Sequence, residues 1–204
     1  MAGSKAVEAT SPHQKYCPSC GGYVTTYAMT TGGGEVDRCE VCSAALEDQA
    51  AAPALEPLEN VIVVEDTALL REILADILKN KQMTRHVVNC VNGSNFLSTF
   101  TAMLLKNSKV GLVILDVNMP IMNGANAAIA MRAVERAFGL GQPVPILFFT
   151  VKQCDEQFRK LLKFCSPAMY INKGQSATPL EMQERVDKVV IQLLKERERG
   201  ESLW

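Results

Sequence analysis

A chain of 204 residues, 48% hydrophobic and 21% charged, has an ordinary globular composition, with room for one medium domain and a small attachment. No apolar run approaches the roughly 18 residues that span a bilayer, and residues 1–11 lack the apolar core of a secretion signal, so a cytoplasmic location without membrane insertion is expected. Charge divides unevenly: residues 1–59 hold three basic and eight acidic side chains, whereas residues 60–204 hold 18 basic and 14 acidic. An acidic front piece grips a phosphate backbone poorly, which disfavours nucleic acid as a partner.

Four of the seven cysteines form two Cys-x-x-Cys pairs, Cys17/Cys20 and Cys39/Cys42, with 18 residues between Cys20 and Cys39. In a cytosolic chain such pairs suggest metal rather than disulfides. Zinc takes four thiolates in a tetrahedron, and each short turn supplies two. Gly21 and Gly22 suit the tight turn after the first pair, Tyr23 to Thr30 is rich in strand formers, and Gly32-Gly33-Gly34 supplies a hairpin turn. Residues 14–46 therefore resemble a zinc ribbon, with Zn2+ supplying most of the folding free energy of so short a segment. A redox dithiol is the alternative, weakened because no βαβ pattern surrounds either pair.

Four thiolates and one zinc ion sum to −2, and Glu35, Asp37, Glu40 and Glu47 outnumber Lys15 and Arg38. Protein docking is thus favoured over nucleic-acid binding for the ribbon, and a purely structural appendage stays open. Cys90, Cys154 and Cys165 stand alone in apolar surroundings and read as small buried hydrophobes. Residues 47–59 carry two prolines without periodicity and read as a linker.

From Asn60 to Trp204, short aliphatic runs alternate with helix-period segments. Strands are expected at Val61–Val64, His86–Cys90, Leu112–Leu115, Ile146–Phe149 and Ala168–Ile171. Between and after them, helical stripes are formed by Leu69, Leu70, Ile73, Leu74, Ile77 and Leu78; by Phe96, Leu97, Phe100, Met103 and Leu104; by Ala127, Ala130, Met131, Val134 and Phe138; by Phe158, Leu161, Leu162 and Cys165; and by Met182, Val186, Val189, Val190, Leu193 and Leu194. Five β-α units in alternation imply an α/β fold, a doubly wound five-stranded parallel sheet with helices on both faces.

Glu65 and Asp66 follow the first strand, Asp116 the third, Thr150 the fourth, and Asn172-Lys173 the fifth. All lie at the carboxyl ends of parallel strands, the edge where ligands bind in open α/β sheets. Three adjacent carboxylates repel unless a cation sits among them, and hard oxygen donors suit Mg2+. Lys173 and Thr150 can neutralise and hydrogen-bond the oxygens of an incoming phosphoryl group, leaving Asp116 as a carboxylate nucleophile that forms an acyl phosphate.

Val64-Glu65-Asp66, Leu115-Asp116-Val117-Asn118-Met119-Pro120 with Asn123-Gly124, Phe149-Thr150 and Tyr170-Ile171-Asn172-Lys173 together resemble a response-regulator receiver domain of the chemotaxis type, from Asn60 to about Arg199. The resemblance implies a flavodoxin-like sheet of order 2-1-3-4-5 and a place in a bacterial two-component phosphorelay. It implies that Asp116 accepts a phosphoryl group from a phosphohistidine on a sensor histidine kinase or phosphotransfer protein. Asp66 and Asp116 would bind Mg2+ directly, Glu65 through water, and Asn118 through its backbone carbonyl. Lys173 would contact the phosphoryl group, Thr150 would move toward it, and Tyr170 would swing inward, changing the partner preference of the face built by helix four, strand five and helix five.

Three positions depart from the family's pattern: Glu65 where aspartate is frequent, bulky Val151 after the switch threonine, and Gly174 after Lys173 where a cis proline is usual. Val151 is expected to slow access to the phosphoryl group, and Gly174 to loosen the loop or set the lysine differently. No output domain is expected after residues 195–199, so the output is protein binding to an unknown partner. The protein is then a signalling phosphoacceptor, catalysing only its own Mg2+-dependent phosphotransfer and dephosphorylation. A phosphorylation-independent scaffold, a nucleic-acid regulator working through the ribbon, and homodimerisation remain alternatives. A phosphatase of related chemistry would want a second aspartate where Asn118 stands. His13 and His86, the two histidines, sit in no kinase context, so the phosphodonor is a separate protein; Trp204 is an aromatic tail that could dock a partner.

Overall fold

Two different sequence patterns give two different sheets. The computed structural model describes residues 14–31, 34–46, 56–175 and 178–199; residues 47–55 of the expected linker, the turn glycines Gly32 and Gly33, His13 and Trp204 lie outside them. In the front piece β1 (Gln14–Cys17), β2 (Gly22–Thr31) and β3 (Gly34–Cys39) form an antiparallel sheet in the order β1-β2-β3. Its faces bury little, and Tyr23 is 76% exposed. The buried residues gather instead around Cys17, Cys39 and Cys42.

The aliphatic runs form β4 (Leu58–Val64), β5 (Thr84–Cys90), β6 (Val110–Leu115), β7 (Ile146–Thr150) and β8 (Ala168–Asn172). They pair in parallel in the order β5-β4-β6-β7-β8, the flavodoxin-like order. β4 begins at Leu58, which pairs with Thr84, so regular structure starts within the stretch read as linker. Helices α1 (Ala68–Asn80), α2 (Gly93–Leu105), α3 (Gly124–Ala137), α4 (Glu156–Phe164) and α5 (Pro179–Arg199) connect and follow the strands. β6 and β7 are buried along their whole length, as strands covered on both faces must be.

Two helix stripes differ from expectation: Leu69 of α1 is 65% exposed, and α3 departs further. Phe138 is 40% exposed, and α3 buries Gly124, Ala127, Ala128, Met131, Arg132 and Glu135 rather than the stripe through Val134 and Phe138. Two charged residues can face inward because they satisfy each other. Arg132 pairs with Glu135 at 2.6 Å and donates to the Cys165 carbonyl, while Glu135 accepts from the Val144 N–H at 2.7 Å. Among the described residues no helix is long and apolar enough to cross a membrane.

Candidate functional site

The parallel sheet brings the carboxylates together. Glu65 and Asp66 leave the end of β4, Asp116 leaves the end of β6, and the oxygens of all three lie within 4.8 Å of one another. Glu65 and Asp116 are buried and Asp66 is exposed, so the cluster opens to solvent on one side. Lys173, just past β8, reaches in: its Nζ is 3.0 Å from Asp116 Oδ2 and 3.1 Å from Glu65 Oε2. Burial pushes the Glu65 carboxyl up, the Lys173 ammonium pulls it down, and the Asp116 charge raises it again. Three carboxylates facing one ammonium form a donor set that fits Mg2+.

The surrounding backbone is fixed closely. The N–H of Asn118 donates to Asp116 Oδ1 at 3.2 Å and that of Thr67 to Glu65 Oε1 at 3.3 Å. Gly174, where a looser loop was expected, donates its N–H to Asn172 Oδ1 at 3.0 Å, an Asx turn that holds the start of the 3-10 turn Lys173–Gln175. Thr150 is fully buried and accepts from the Lys152 N–H, whereas Val151 is 54% exposed. Asn118 is itself exposed.

The four paired cysteines meet at a second place, with every Sγ within 4.8 Å of the others. The Cys17–Cys42 and Cys20–Cys39 sulfurs are 3.6 and 3.8 Å apart. A tetrahedron with zinc–sulfur bonds of roughly 2.3 Å has edges of roughly 3.8 Å, so the set fits that ion. The N–H groups of Cys20 and Cys42 each lie 3.4 Å from the first sulfur of their own pair, Cys17 and Cys39. Gly21 bends the chain back with φ +76°, and its N–H donates to the Cys17 carbonyl. Hydrogen bonds among the thiols push Cys17 and Cys42 up and pull Cys20 and Cys39 down, as expected where so many sulfurs cannot all ionise without a cation. Cys154, near enough for the charges of Cys20 and Cys39 to raise it further, and Cys165 are pushed chiefly by burial up to about 12 and about 11, which suits inert core positions.

These two centres flank one strand. The first cysteine turn rests on β8 and α5. Ser19 accepts from the Asn172 N–H at 2.9 Å, and the buried Arg185 donates to the carbonyls of Pro18 at 2.8 Å and Ser19 at 3.1 Å. Tyr170, 2% exposed, places its hydroxyl 3.2 Å from Cys20 Sγ and its ring edge-on to Phe158. Burial first, and then the neighbouring Cys20, push the Tyr170 phenol up, so it stays protonated. Farther along, Arg159 donates to the Glu40 carbonyl at 3.1 Å and Gln192 to the Ala45 carbonyl at 3.1 Å.

The family model for the response regulator receiver domain matches residues 61–183. The chain belongs to the response regulator receiver family. Two curated relatives named protein-glutamate methylesterase/protein-glutamine glutaminase are similar to it. That of Methanococcus maripaludis is 28% identical over 65% of this chain and 33% of its own length, and that of Clostridium acetobutylicum 25% identical over 64% and 34%. The match thus spans about a third of those relatives. Among solved structures, the Mg2+-bound receiver domain of the Arabidopsis thaliana histidine kinase CKI1 shares the fold at 20% identity, covering 68% of this chain and 95% of that one with a TM-score of 0.54. The response regulator domain of Thermotoga maritima CheB does so at 16% identity, 69% and 97% coverage and a TM-score of 0.51.

Sequence reasoning gave no structural role to two positions, Gly124 and Arg185. Gly124 lies so close to the Asp116 backbone that an added Cβ would be 2.0 Å from its carbonyl oxygen. Arg185 sits on the apolar stripe of α5, between Met182 and Val186, and a cation there is a signal of a buried acceptor.

Proposed function

We propose that this receiver accepts a phosphoryl group on Asp116 from a phosphohistidine on a sensor histidine kinase or phosphotransfer protein, and that its output is phosphorylation-dependent protein binding in the cytoplasm. The observation that carries this reading is the Lys173 ammonium 3.0 Å from Asp116 Oδ2, inside a cluster of three carboxylates at the carboxyl ends of parallel strands. An Asp116 oxygen attacks the phosphorus, the N–P bond breaks, and its electron pair stays on the imidazole nitrogen, which takes up a proton. Lys173 bonds the transferred oxygens and Thr150 supplies a hydroxyl to them. Asp66, Asp116, Glu65 and the Asn118 carbonyl would hold Mg2+, which neutralises charge on the phosphoryl oxygens when bound. Residues 60–199 carry this activity.

Residues 14–46 carry Zn2+ on Cys17, Cys20, Cys39 and Cys42 in our reading, supported by sulfur spacings of 3.6 and 3.8 Å that match a tetrathiolate site. The zinc unit is joined to the receiver through residues 47–57.

The test is Mg2+-dependent incorporation of phosphate from acetyl phosphate. Wild type should label stoichiometrically with an acid-stable, hydroxylamine-labile bond, and Asp116→Asn should not label. Equal labelling of both proteins would place the phosphoryl group elsewhere, and no labelling of wild type would favour the phosphorylation-independent scaffold.

A further inference from the structure

We propose that Tyr170 is an outer-sphere hydrogen-bond donor to the metal thiolate of Cys20, and that a loaded four-cysteine site keeps its ribbon docked on the α4–β8–α5 face as that face's resident partner. This rests on the reading of the cysteine cluster as a metal site.

A thiolate bound to a metal carries no proton, so across the 3.2 Å contact the Tyr170 phenol must be the donor. Donors of this kind orient a ligand and tune its charge, and the Cys20 N–H already serves Cys17 in the same way at 3.4 Å. What is unusual is that this donor comes from the other sheet, 150 positions along the chain. The receiver also supplies a counter-charge. Arg185 is 1% exposed and grips the carbonyls of Pro18 and Ser19, between the ligands Cys17 and Cys20. A tetrathiolate zinc centre has a formal charge of −2, and a buried guanidinium against its first turn offsets part of it.

The docking contacts converge on one turn. Pro18, Ser19 and Cys20 are all held by the receiver, through Arg185, through the Asn172 N–H together with Arg185, and through Tyr170 respectively. Gly21, next in line, has no room for a side chain: a Cβ there would be 2.5 Å from Gln175 Cβ and 2.8 Å from the Arg185 guanidinium. Binding both Cys17 and Cys20 to one ion fixes the turn that presents these carbonyls, and without the ion the turn loses that restraint. The second cysteine turn contributes less, through half-buried Arg159 and the carbonyls of Glu40 and Val41.

The covered face is an edge. β8 ends the five-stranded sheet, yet all five of its residues are buried, and the Asn172 N–H is capped by the ribbon. An edge covered from within the chain is closed to other proteins. Lys173, which bonds Asp116, follows Asn172 directly, so the covered edge and the acidic site share one stretch of backbone.

The experiment uses the full chain loaded with Co2+ as a spectroscopic probe, with Zn2+ competed against a chromophoric chelator. Tyr170→Phe keeps the ring against Phe158 and removes only the donor. It should shift the sulfur-to-cobalt charge-transfer band and weaken Zn2+ binding roughly 10- to 100-fold, the usual cost of removing an outer-sphere partner. In the wild type, chelation should abolish hydrogen-exchange protection of the Asn172 amide while leaving that of Ile114 in place. Normal metal uptake by Tyr170→Phe with an unshifted band and Zn2+ affinity within about twofold of wild type would overturn the proposal and leave the metal site standing. Retained Asn172 protection in the metal-free chain would overturn metal-dependent docking. A wild type that binds Co2+ without thiolate charge transfer would overturn the metal site and the proposal together.

Discussion

Gly124→Ala tests how tightly the strand that ends at Asp116 is held by the helix that follows it. The new methyl carbon would be 2.0 Å from the Asp116 carbonyl oxygen, 2.9 Å from its carbonyl carbon and 3.0 Å from Val117 Cα. Ordinary contact begins near 3.4 Å, so α3 and the Asp116–Val117 peptide must part by about 1.4 Å. Neither side yields easily. All three neighbours are backbone, and the Gly124 N–H is bonded to the Val117 carbonyl at 3.0 Å across the same gap. Overpacking costs roughly 1–3 kcal/mol and a weakened hydrogen bond about 1 more, against up to about 1 kcal/mol gained because alanine favours helix. A net loss of roughly 1–3 kcal/mol is expected in urea denaturation followed by circular dichroism. Because the shift falls on the Asp116 peptide, Mg2+-dependent labelling by acetyl phosphate should fall as well. Gly139→Ala is the control. Its φ of +64° makes alanine cost about 1–2 kcal/mol in backbone strain, but nothing lies within 4 Å, so labelling should not change. Gly124→Ala with wild-type stability and labelling would refute the idea that this approach positions Asp116.

Glu135→Ala leaves Arg132 buried without its carboxylate and the Val144 N–H without its acceptor, and should cost roughly 3–5 kcal/mol by urea denaturation. Glu65→Gln should raise the urea midpoint of the chain in EDTA near neutral pH while weakening its Mg2+ affinity. The sign follows from burial, which holds the folded carboxyl above its ordinary 4.5, so the native state binds the extra proton and wild-type stability falls as pH rises from about 4.5 through the raised value, a slope the glutamine removes. Chelation should release one Zn2+ per chain and strip hydrogen-exchange protection from the β2–β3 hairpin while that of β4 and β6 persists, as read by mass spectrometry.

The receiver sheet and its acidic site were legible because both are written in short range. Unbroken aliphatic runs such as Leu112–Leu115 mark strands buried on both faces, and an aspartate just past such a run has to sit at the sheet's ligand edge. The fold then brings Glu65, Asp66, Asp116 and Lys173 together with no further information. Gly124 was visible as part of a motif, but its role is a backbone-to-backbone approach that spacing does not reveal. The α3 face was misplaced for the opposite reason. Arg132 and Glu135 read as solvent-facing by type, and only their mutual pairing with the Cys165 carbonyl and Val144 N–H makes burial tolerable.

The docking of the ribbon was illegible for a more specific reason. Arg185, Arg159, Gln192 and the Asn172 N–H all donate to main-chain carbonyls of the ribbon, at Pro18, Ser19, Glu40, Val41 and Ala45. A carbonyl is the same whatever side chain it carries, so the acceptor half of these bonds leaves no trace in the ribbon's sequence. The donor half leaves a faint one, most clearly Arg185 on an apolar helix stripe. The contact between Cys20 and Tyr170 joins two side chains, and each had already been given a separate purpose, one as a zinc ligand and the other as the readout of Asp116. A bond between two sites is made by one group from each, so neither motif read alone shows that the two sites meet.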